Sequence, residues 1–423
     1  MFVKSFRVDS YILLRMFRTA NILYASCQWI EGSKNVYDTS VNRTGAAAVP
    51  GFLLSGFLFA LLGALLPAWR YHMVPEYSQA GQYFLSLGAG VALSGFAMQR
   101  LKLRIGLLLP IACGVAWAAM VHLAMLEPSA SVPLRVLGWV VIGLAAGVLN
   151  SCLFETIRAA YQRDPASTVN LAGVYFGLGC LASALLLAGT FYLYSVSTVL
   201  LLVSVVPGLF GFLYYRHYRG DTQVVSRPPT AEVFSDFLSP AAVLFALLLF
   251  FQSGNEWAIA GWLPLYLIRK IGMSPEGAIW TLAVYWLALL VGRLVSVYLL
   301  ARVRHSRLLL TSVTCALFGC VLLMFAANRL GATVGVLFCG GGFAVIYPLV
   351  VERIGRRFPY YHPGVFNGVF SIALAGGLLS PWMIGIFADS YGAWVVMGLP
   401  VLGTLAVVIL ILLIWLENKV TGF

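Results

Sequence analysis

The chain has 423 residues, of which 61% are hydrophobic and 10% charged, with a mean hydropathy of +0.91. A soluble globular domain carries about 25% charged residues, so this chain lacks the polar surface needed to coat a body in water, and lipid must cover most of it. The formal net charge of +12 does not mark a nucleic-acid reader. Such proteins gather their bases on one soluble face, whereas here the bases fall in short clusters between apolar runs, which is the footprint of membrane topology.

Residues 1–48 form an N-terminal cytoplasmic extension in this reading. Arg15 and Arg18 interrupt its first apolar stretch, which lacks the layout of a cleavable signal. Tyr11–Tyr24 mixes apolar and basic residues as an interfacial helix would, and a disordered tail or a misplaced start codon fits equally well. Asn42-Arg-Thr matches a glycosylation acceptor but falls on the cytoplasmic side. Runs of about 20 apolar residues, each long enough to cross a hydrocarbon core of about 30 Å, then follow at 50–69, 79–98, 103–123, 134–156, 168–189, 192–214, 240–266, 276–300, 307–326, 331–351, 363–387 and 392–416.

With both termini cytoplasmic, the outer loops hold Arg70, Arg135, Arg269, Lys270 and Arg329, and Arg293 stays within a helix. The rest of the 27 Lys and Arg fall inside, so the charge bias fixes the orientation in a cell (inner) membrane. The polar stretch 215–239, with Arg219-Gly-Asp-Thr and Arg227-Pro-Pro-Thr, reads as a cytoplasmic linker. It separates an N-terminal six-helix bundle at 49–214 from a C-terminal one at 240–416, with 417–423 as a cytoplasmic tail. The seven cysteines stand singly without CxxC spacing and read as small packing residues.

The two halves repeat each other at an offset of 195 to 197 residues. Leu66-Pro67-Ala68-Trp69 matches Leu263-Pro264-Leu265-Tyr266, and Ser78-Gln-Ala-Gly81 matches Ser274-Pro-Glu-Gly277. Glu155 matches Glu352, each followed by a nearby arginine (Arg158, Arg353), and Ala172-Gly-Val-Tyr-Phe176 matches Asn367-Gly-Val-Phe-Ser371.

Two pseudo-symmetric six-helix bundles joined by a cytoplasmic linker resemble the major facilitator superfamily over about residues 49–416. Gly292-Arg293-Leu294 followed by Arg302-Val-Arg304-His-Ser-Arg307 is similar to a worn form of that family's basic loop signature. The matching stretch Gln99-Arg100-Leu-Lys102-Leu-Arg104 keeps the bases without the usual aspartate. Gly143-Leu-Ala-Ala-Gly147-Val-Leu-Asn150, Glu256-Trp-Ala-Ile-Ala-Gly261-Trp262 and Gly341-Gly342-Phe-Ala-Val-Ile-Tyr347-Pro348 resemble the fucose/glucose permease-like branch. Asn150 stands where many members carry an acid, which removes a commonly used proton site. The resemblance implies an all-α membrane protein of twelve transmembrane helices in the major facilitator fold.

Of the 15 acidic residues, Glu256 alone sits well inside an apolar crossing. A carboxylate in a helix centre costs about 2.5–3.5 kcal/mol on insertion scales, so it must face a watery cavity, find a partner or carry a proton. Glu256 is therefore the candidate proton-coupling or substrate-binding group, against a structural reading in which it ties one helix to the next. Asn150, Asn170, Gln252, Asn255 and Asn367 offer donors and acceptors at membrane depth, and Trp257, Trp286 and Tyr347 offer flat faces. Amides with rings suit a neutral polyhydroxy solute, though amides also join helices and tryptophans also form interface belts. Glu155, Arg158, Arg293, Glu352 and Arg353 are the gating candidates. Gly173-xxx-Gly177 and Gly364-xxx-Gly368 have the spacing for close helix contact.

The expectation is a secondary transporter moving a small-molecule substrate by alternating access, a monomer in membrane lipid, coupled to protons or running as a facilitator, with no cofactor and no nucleic-acid partner. Export of lipophilic drugs or lipids on the same fold is the alternative. A polytopic membrane enzyme is a remote one, since the isolated histidines and the lack of paired carboxylates give no catalytic cluster. A sensor would need a further signalling domain.

Overall fold

A computed structural model describes residues 49–72, 76–100, 103–126, 131–157, 165–192, 195–218, 239–300, 302–357 and 363–421. The extension 1–48, most of the linker, and Arg158 lie outside the described residues, as do the side chain of Asn367 and the surroundings of Gly364 and Gly368. Among the described residues twelve helices follow in order: α1 Gly51–His72, α2 Tyr77–Arg100, α3 Ile105–Met125, α4 Val132–Thr156, α5 Pro165–Thr190 and α6 Val196–Tyr218. The second half holds α7 Pro240–Ile271, α8 Pro275–Leu300, α9 His305–Phe325, α10 Arg329–Arg357, α11 Pro363–Tyr391 and α12 Val395–Thr421.

Each coincides with an apolar run, and several extend past it by a turn or more because polar ends can continue a helix into the headgroup region. The bounds of α7 are set locally. Ser239 caps its start, its Oγ accepting from the Ala242 N–H at 3.2 Å, with Pro240 at the first helical position. Gly272 stops it at φ 69°, a left-handed conformation that suits a residue without Cβ.

Eleven of the twelve helices are long and apolar enough to cross a membrane. The exception is α2, whose 24 residues suffice in length but whose sequence is diluted by glycine and serine. Its protein contacts account for this. Backbones of α2 and α4 meet where Gly90 lies on Val140 and Gly143 on Leu87, and Gly81 lies on Gly385 of α11. Ser86 and Ser94 return their hydroxyls to carbonyls of their own helix, Gln82 and Val91. Helices that touch helices rather than lipid favour such small residues.

The packing repeats as the sequence does. In the first half α1 lies on α5, α2 on α4 and α3 on α6; in the second α7 lies on α11, α8 on α10 and α9 on α12. Pro67 and Pro264 occupy equivalent places inside α1 and α7. Between the halves α2 meets α11, α5 meets α8, and α1 meets α7. The α1–α7 crossing brings Gly63 onto the backbone of Ala260 and Gly261, positions one repeat apart, so the pseudo-twofold relation passes through this contact. Burial follows: 94% of the apolar stretch of α1 is buried, against 33% for α6, whose Leu202, Val205, Leu209 and Phe212 face outward. α1 is central, and α6 lies at the periphery with an apolar outer face.

Candidate functional site

Glu256 lies near the middle of α7, a helix packed against α1, α8, α10, α11 and α12. Despite that enclosure Ser253, Glu256 and Trp257 keep part of their surface accessible. Gln252, one turn earlier and fully buried, donates Nε2–H to Glu256 Oε1 at 2.8 Å. Its own Oε1 is buried without a partner among the described residues. The Tyr285 hydroxyl of α8 donates to the Glu256 backbone carbonyl at 3.3 Å, so the α7–α8 junction fixes the backbone that carries the acid.

Beside the carboxylate, Trp257 sits among rings from both halves. Phe59 of α1 is 5.8 Å away by centroids, Phe176 of α5 is 5.9 Å away edge-on, and Trp286 of α8 is 5.9 Å away. Phe59 and Phe176 touch each other at 6.1 Å. The result is an aromatic cage with one polar flank, formed by Glu256, Gln252 and the Trp286 Nε1–H, which has no partner among the described residues. Such a cage can cover an apolar ring face while its flank exchanges hydrogen bonds with hydroxyls.

Two turns along α8 from Trp286, Arg293 extends NH1 to the Gly173 carbonyl of α5 and lies near enough to Glu256 for an interaction through space. Tyr347 of α10 and Cys180 of α5 lie near enough to Glu256 and Arg293 for an interaction through space. Gln252, Glu256, Trp257, Trp286, Tyr347 and Arg293 thus gather in one region. Asn170 lies one turn before Gly173 on α5, its Oδ1 buried without a partner among the described residues.

Other expected site residues are elsewhere. Asn150 accepts from Ser55 Oγ at 3.3 Å and ties α4 to α1. Asn255, one residue before Glu256 and so about 100° round the helix, donates to Thr404 Oγ1 at 3.2 Å and packs on Gly403 of α12. Asn255→Ala should therefore lower the unfolding midpoint in detergent, by the ~1–3 kcal/mol of a broken buried hydrogen bond, while leaving ligand affinity within about twofold. Glu352 stands 3.4 Å from His305 Nε2, and Arg353 donates to Ser306 Oγ at 2.6 Å; both contacts join α9 to α10. Glu155 is half-buried at the end of α4.

Sequence reasoning passed over Phe59 and Phe176. Phe59 belongs to a long apolar stretch of α1 and gives no polar signal. Phe176 closes the repeated segment Ala172–Phe176, where its position in the repeat was the available hint. It also passed over the seal at the α1–α2 end of the bundle. There Trp262 donates Nε1–H to the Pro381 carbonyl at 2.8 Å and packs on Phe84 and Tyr77. Arg269 lies 4.1 Å over the Tyr77 ring, and Asp389 accepts from the Ser78 N–H at 2.9 Å.

Comparison with known proteins agrees with this architecture. The sequence profile of the Major Facilitator Superfamily matches residues 48–381 and again 246–422, the second match beginning just over one repeat length after the first. The glucose/mannose transporter GlcP of Bacillus subtilis (strain 168) is 22% identical over 255 residues, which cover 58% of this chain and 63% of that protein, less than two thirds of its length. The solved structure of the nucleoside transporter NupG shares the fold with a TM-score of 0.64 at 13% identity, over 87% of this chain and 98% of that one. That of the E. coli fucose:proton symporter FucP does so with a TM-score of 0.59 at 16% identity, over 88% and 98%. With a twofold-repeated helical architecture and a family profile spanning both halves, the chain belongs to the major facilitator superfamily of multi-span membrane proteins.

Proposed function

We propose that this protein is a secondary transporter that carries a small polar solute, a sugar or a related polyhydroxy compound, by alternating access between its two halves. The observation that carries the reading is the cage around Trp257, whose rings come from α1 and α5 on one side and α7 and α8 on the other. A solute held there touches both halves, so rocking one half against the other exposes it to opposite sides in turn. Glu256 is the proton-coupling group, and Gln252, Trp286 and Tyr347 are the polar contacts to the solute. Asn170 and Asn367 on the repeat-related α5 and α11 are further solute contacts in this reading. Relatives named for sugars and a nucleoside support the substrate class.

In the same reading the protein is a monomer, not an enzyme, and sits in the cell membrane with both termini cytoplasmic, which makes the sealed α1–α2 end the outer one. Residues 49–214 and 240–416 move as the two bundles about the 215–239 linker. Glu155, Arg158, Glu352 and Arg353 gate the inner side. A lone carboxylate among rings also fits a lipophilic cation, but Arg293 offsets its charge, which disfavours cation export.

Thermal-shift screening of the purified protein against hexoses, nucleosides, amino acids and lipophilic cations tests the substrate class. Ligand at about 100 times its Kd should stabilise the folded state by about 2.7 kcal/mol. The proposal expects that shift with a polyhydroxy solute and its loss in Trp257→Ala. A shift with cations alone would overturn it.

A further inference from the structure

Two adjacent glycines of α11 meet α7 in different ways. A Cβ on Gly376 would run into the Phe250 carbonyl, so this glycine lets the two backbones touch. A Cβ on Gly377 would instead meet side chains: Trp257 Cδ1 at 2.7 Å and Nε1 at 3.3 Å, and Ser253 Oγ at 2.9 Å. The pyrrole edge of Trp257 thus rests in a notch that a missing methyl group leaves in α11. Ser253 can turn its hydroxyl aside, but an indole is a rigid plate that moves as a whole about two torsions. Carbon atoms in contact stand about 3.5 Å apart or more, so a methyl group at Gly377 would drive that edge about 0.8 Å away from α11.

The other rings of the cage stand on helices that touch backbone to backbone. α1 carries Phe59 and α5 carries Phe176; a Cβ on Gly56 would run into the Phe176 carbonyl, and one on Gly179 into that of Leu53. α8, which carries Trp286, is backed as closely by α10, where a Cβ on Gly340 would stand 2.7 Å from the Tyr285 carbonyl oxygen. Trp257 is in ring contact with Phe59, Phe176 and Trp286, and its seat against α11 is set by a side-chain contact. A shift of its pyrrole edge away from α11 is therefore taken up inside the cage.

We propose that Gly377 is a specificity-determining position: the notch it leaves in α11 holds Trp257 back and so sets the size of polyhydroxy solute that the cage accepts. The inference rests on the cage being the solute site, and Gly377 acts through Trp257 as a positioning residue. In the empty cage a methyl group at this position is relieved by letting Trp257 lean inward. A bound solute presses the ring back against the methyl group, so the cost appears in binding. The strain is the same in the bound state and during rocking, and a uniform loss of this kind raises KM without lowering kcat.

The test is equilibrium binding of labelled glucose, N-acetylglucosamine and uridine to the full chain in nanodiscs, with uptake kinetics in proteoliposomes. For each solute that the unaltered chain binds, Gly377→Ala should raise Kd, by about tenfold for glucose and by more for the two bulkier solutes. KM should rise in step, with kcat within about twofold. Phe59→Leu trims the facing wall; alone it removes a ring contact and weakens binding, but combined with Gly377→Ala it should recover part of the loss. Gly254→Ala loads the same α7–α11 seam without touching the ring, since its Cβ would stand 3.2 Å from Ser380 Cβ and 3.3 Å from the Gly376 carbonyl oxygen. It should leave every Kd within about twofold. A Kd unmoved by Gly377→Ala while the unaltered chain binds solute defeats the notch alone, as does an equal loss in Gly254→Ala or a loss that Phe59→Leu only deepens. Binding of none of the three solutes by the unaltered chain defeats the transport reading, and the notch with it.

Discussion

Glu256→Gln is expected to abolish accumulation driven by a pH gradient while downhill exchange of the same solute persists within a few-fold. Glutamine is nearly isosteric with the protonated acid and can still accept from Gln252, so the cage around Trp257 keeps its shape. It cannot release a proton, and the coupling goes with that ability. One proton moving down one pH unit supplies about 1.4 kcal/mol, which sustains about tenfold accumulation. The variant should show none above equilibration. Parallel measurement of gradient-driven uptake and of counterflow in proteoliposomes reads both quantities. Loss of counterflow together with uptake would instead assign Glu256 to solute binding, and survival of the gradient response would remove it from the coupling.

The second large effect concerns the seal at the α1–α2 end. A Cβ on Gly385 would stand 2.7 Å from the Gly81 Cα, and one on Gly81 would stand 3.1 Å from both the Gly385 Cα and the Trp382 carbonyl oxygen. Gly385→Val forces α2 and α11 apart where Asp389 holds the Ser78 N–H and where Trp262 joins α7 to α11. Overpacking of this kind costs about 1–3 kcal/mol. Because the strain falls on the closed arrangement alone, it shifts the balance toward the arrangement open at this end by about 5- to 150-fold. A cysteine placed at Ser253, in the accessible stripe of α7, reports the change. Its labelling by a membrane-impermeant thiol reagent applied from the α1–α2 side should rise by that factor in the Gly385→Val background. An unchanged rate would mean that this contact does not gate the cavity.

The fold was legible to the extent that lipid imposes a simple rule. Every helix among the described residues lies on an apolar run, and the repeat offset read from Pro67 and Pro264 reappears as the crossing of Gly63 with Ala260. The departures have local causes: α7 continues through Arg269 and Lys270 to its glycine stop, and α2 is less apolar because its glycines and serines touch protein. Of the candidate site, Glu256, Gln252, Trp257 and Trp286 were visible because polar or bulky residues stand out on an apolar helix. Asn255 looked equivalent to Gln252 by composition, but the helical turn sends it to Thr404 on α12. The partners from the first half were hidden, since Phe59 is one apolar residue among many and the part played by Gly173 is the space it leaves for Arg293.

The central claim, that the caged Glu256 region carries a polar solute across the membrane, is tested most directly by uptake of labelled hexoses into proteoliposomes holding the purified full-length chain. Saturable uptake above that of protein-free vesicles is predicted, with accumulation raised about tenfold by a gradient of one pH unit, acid outside, and lost in Trp257→Ala. Uptake no greater than in protein-free vesicles for every sugar and nucleoside tested, with gradient-driven movement of a lipophilic cation in the same vesicles, would contradict it.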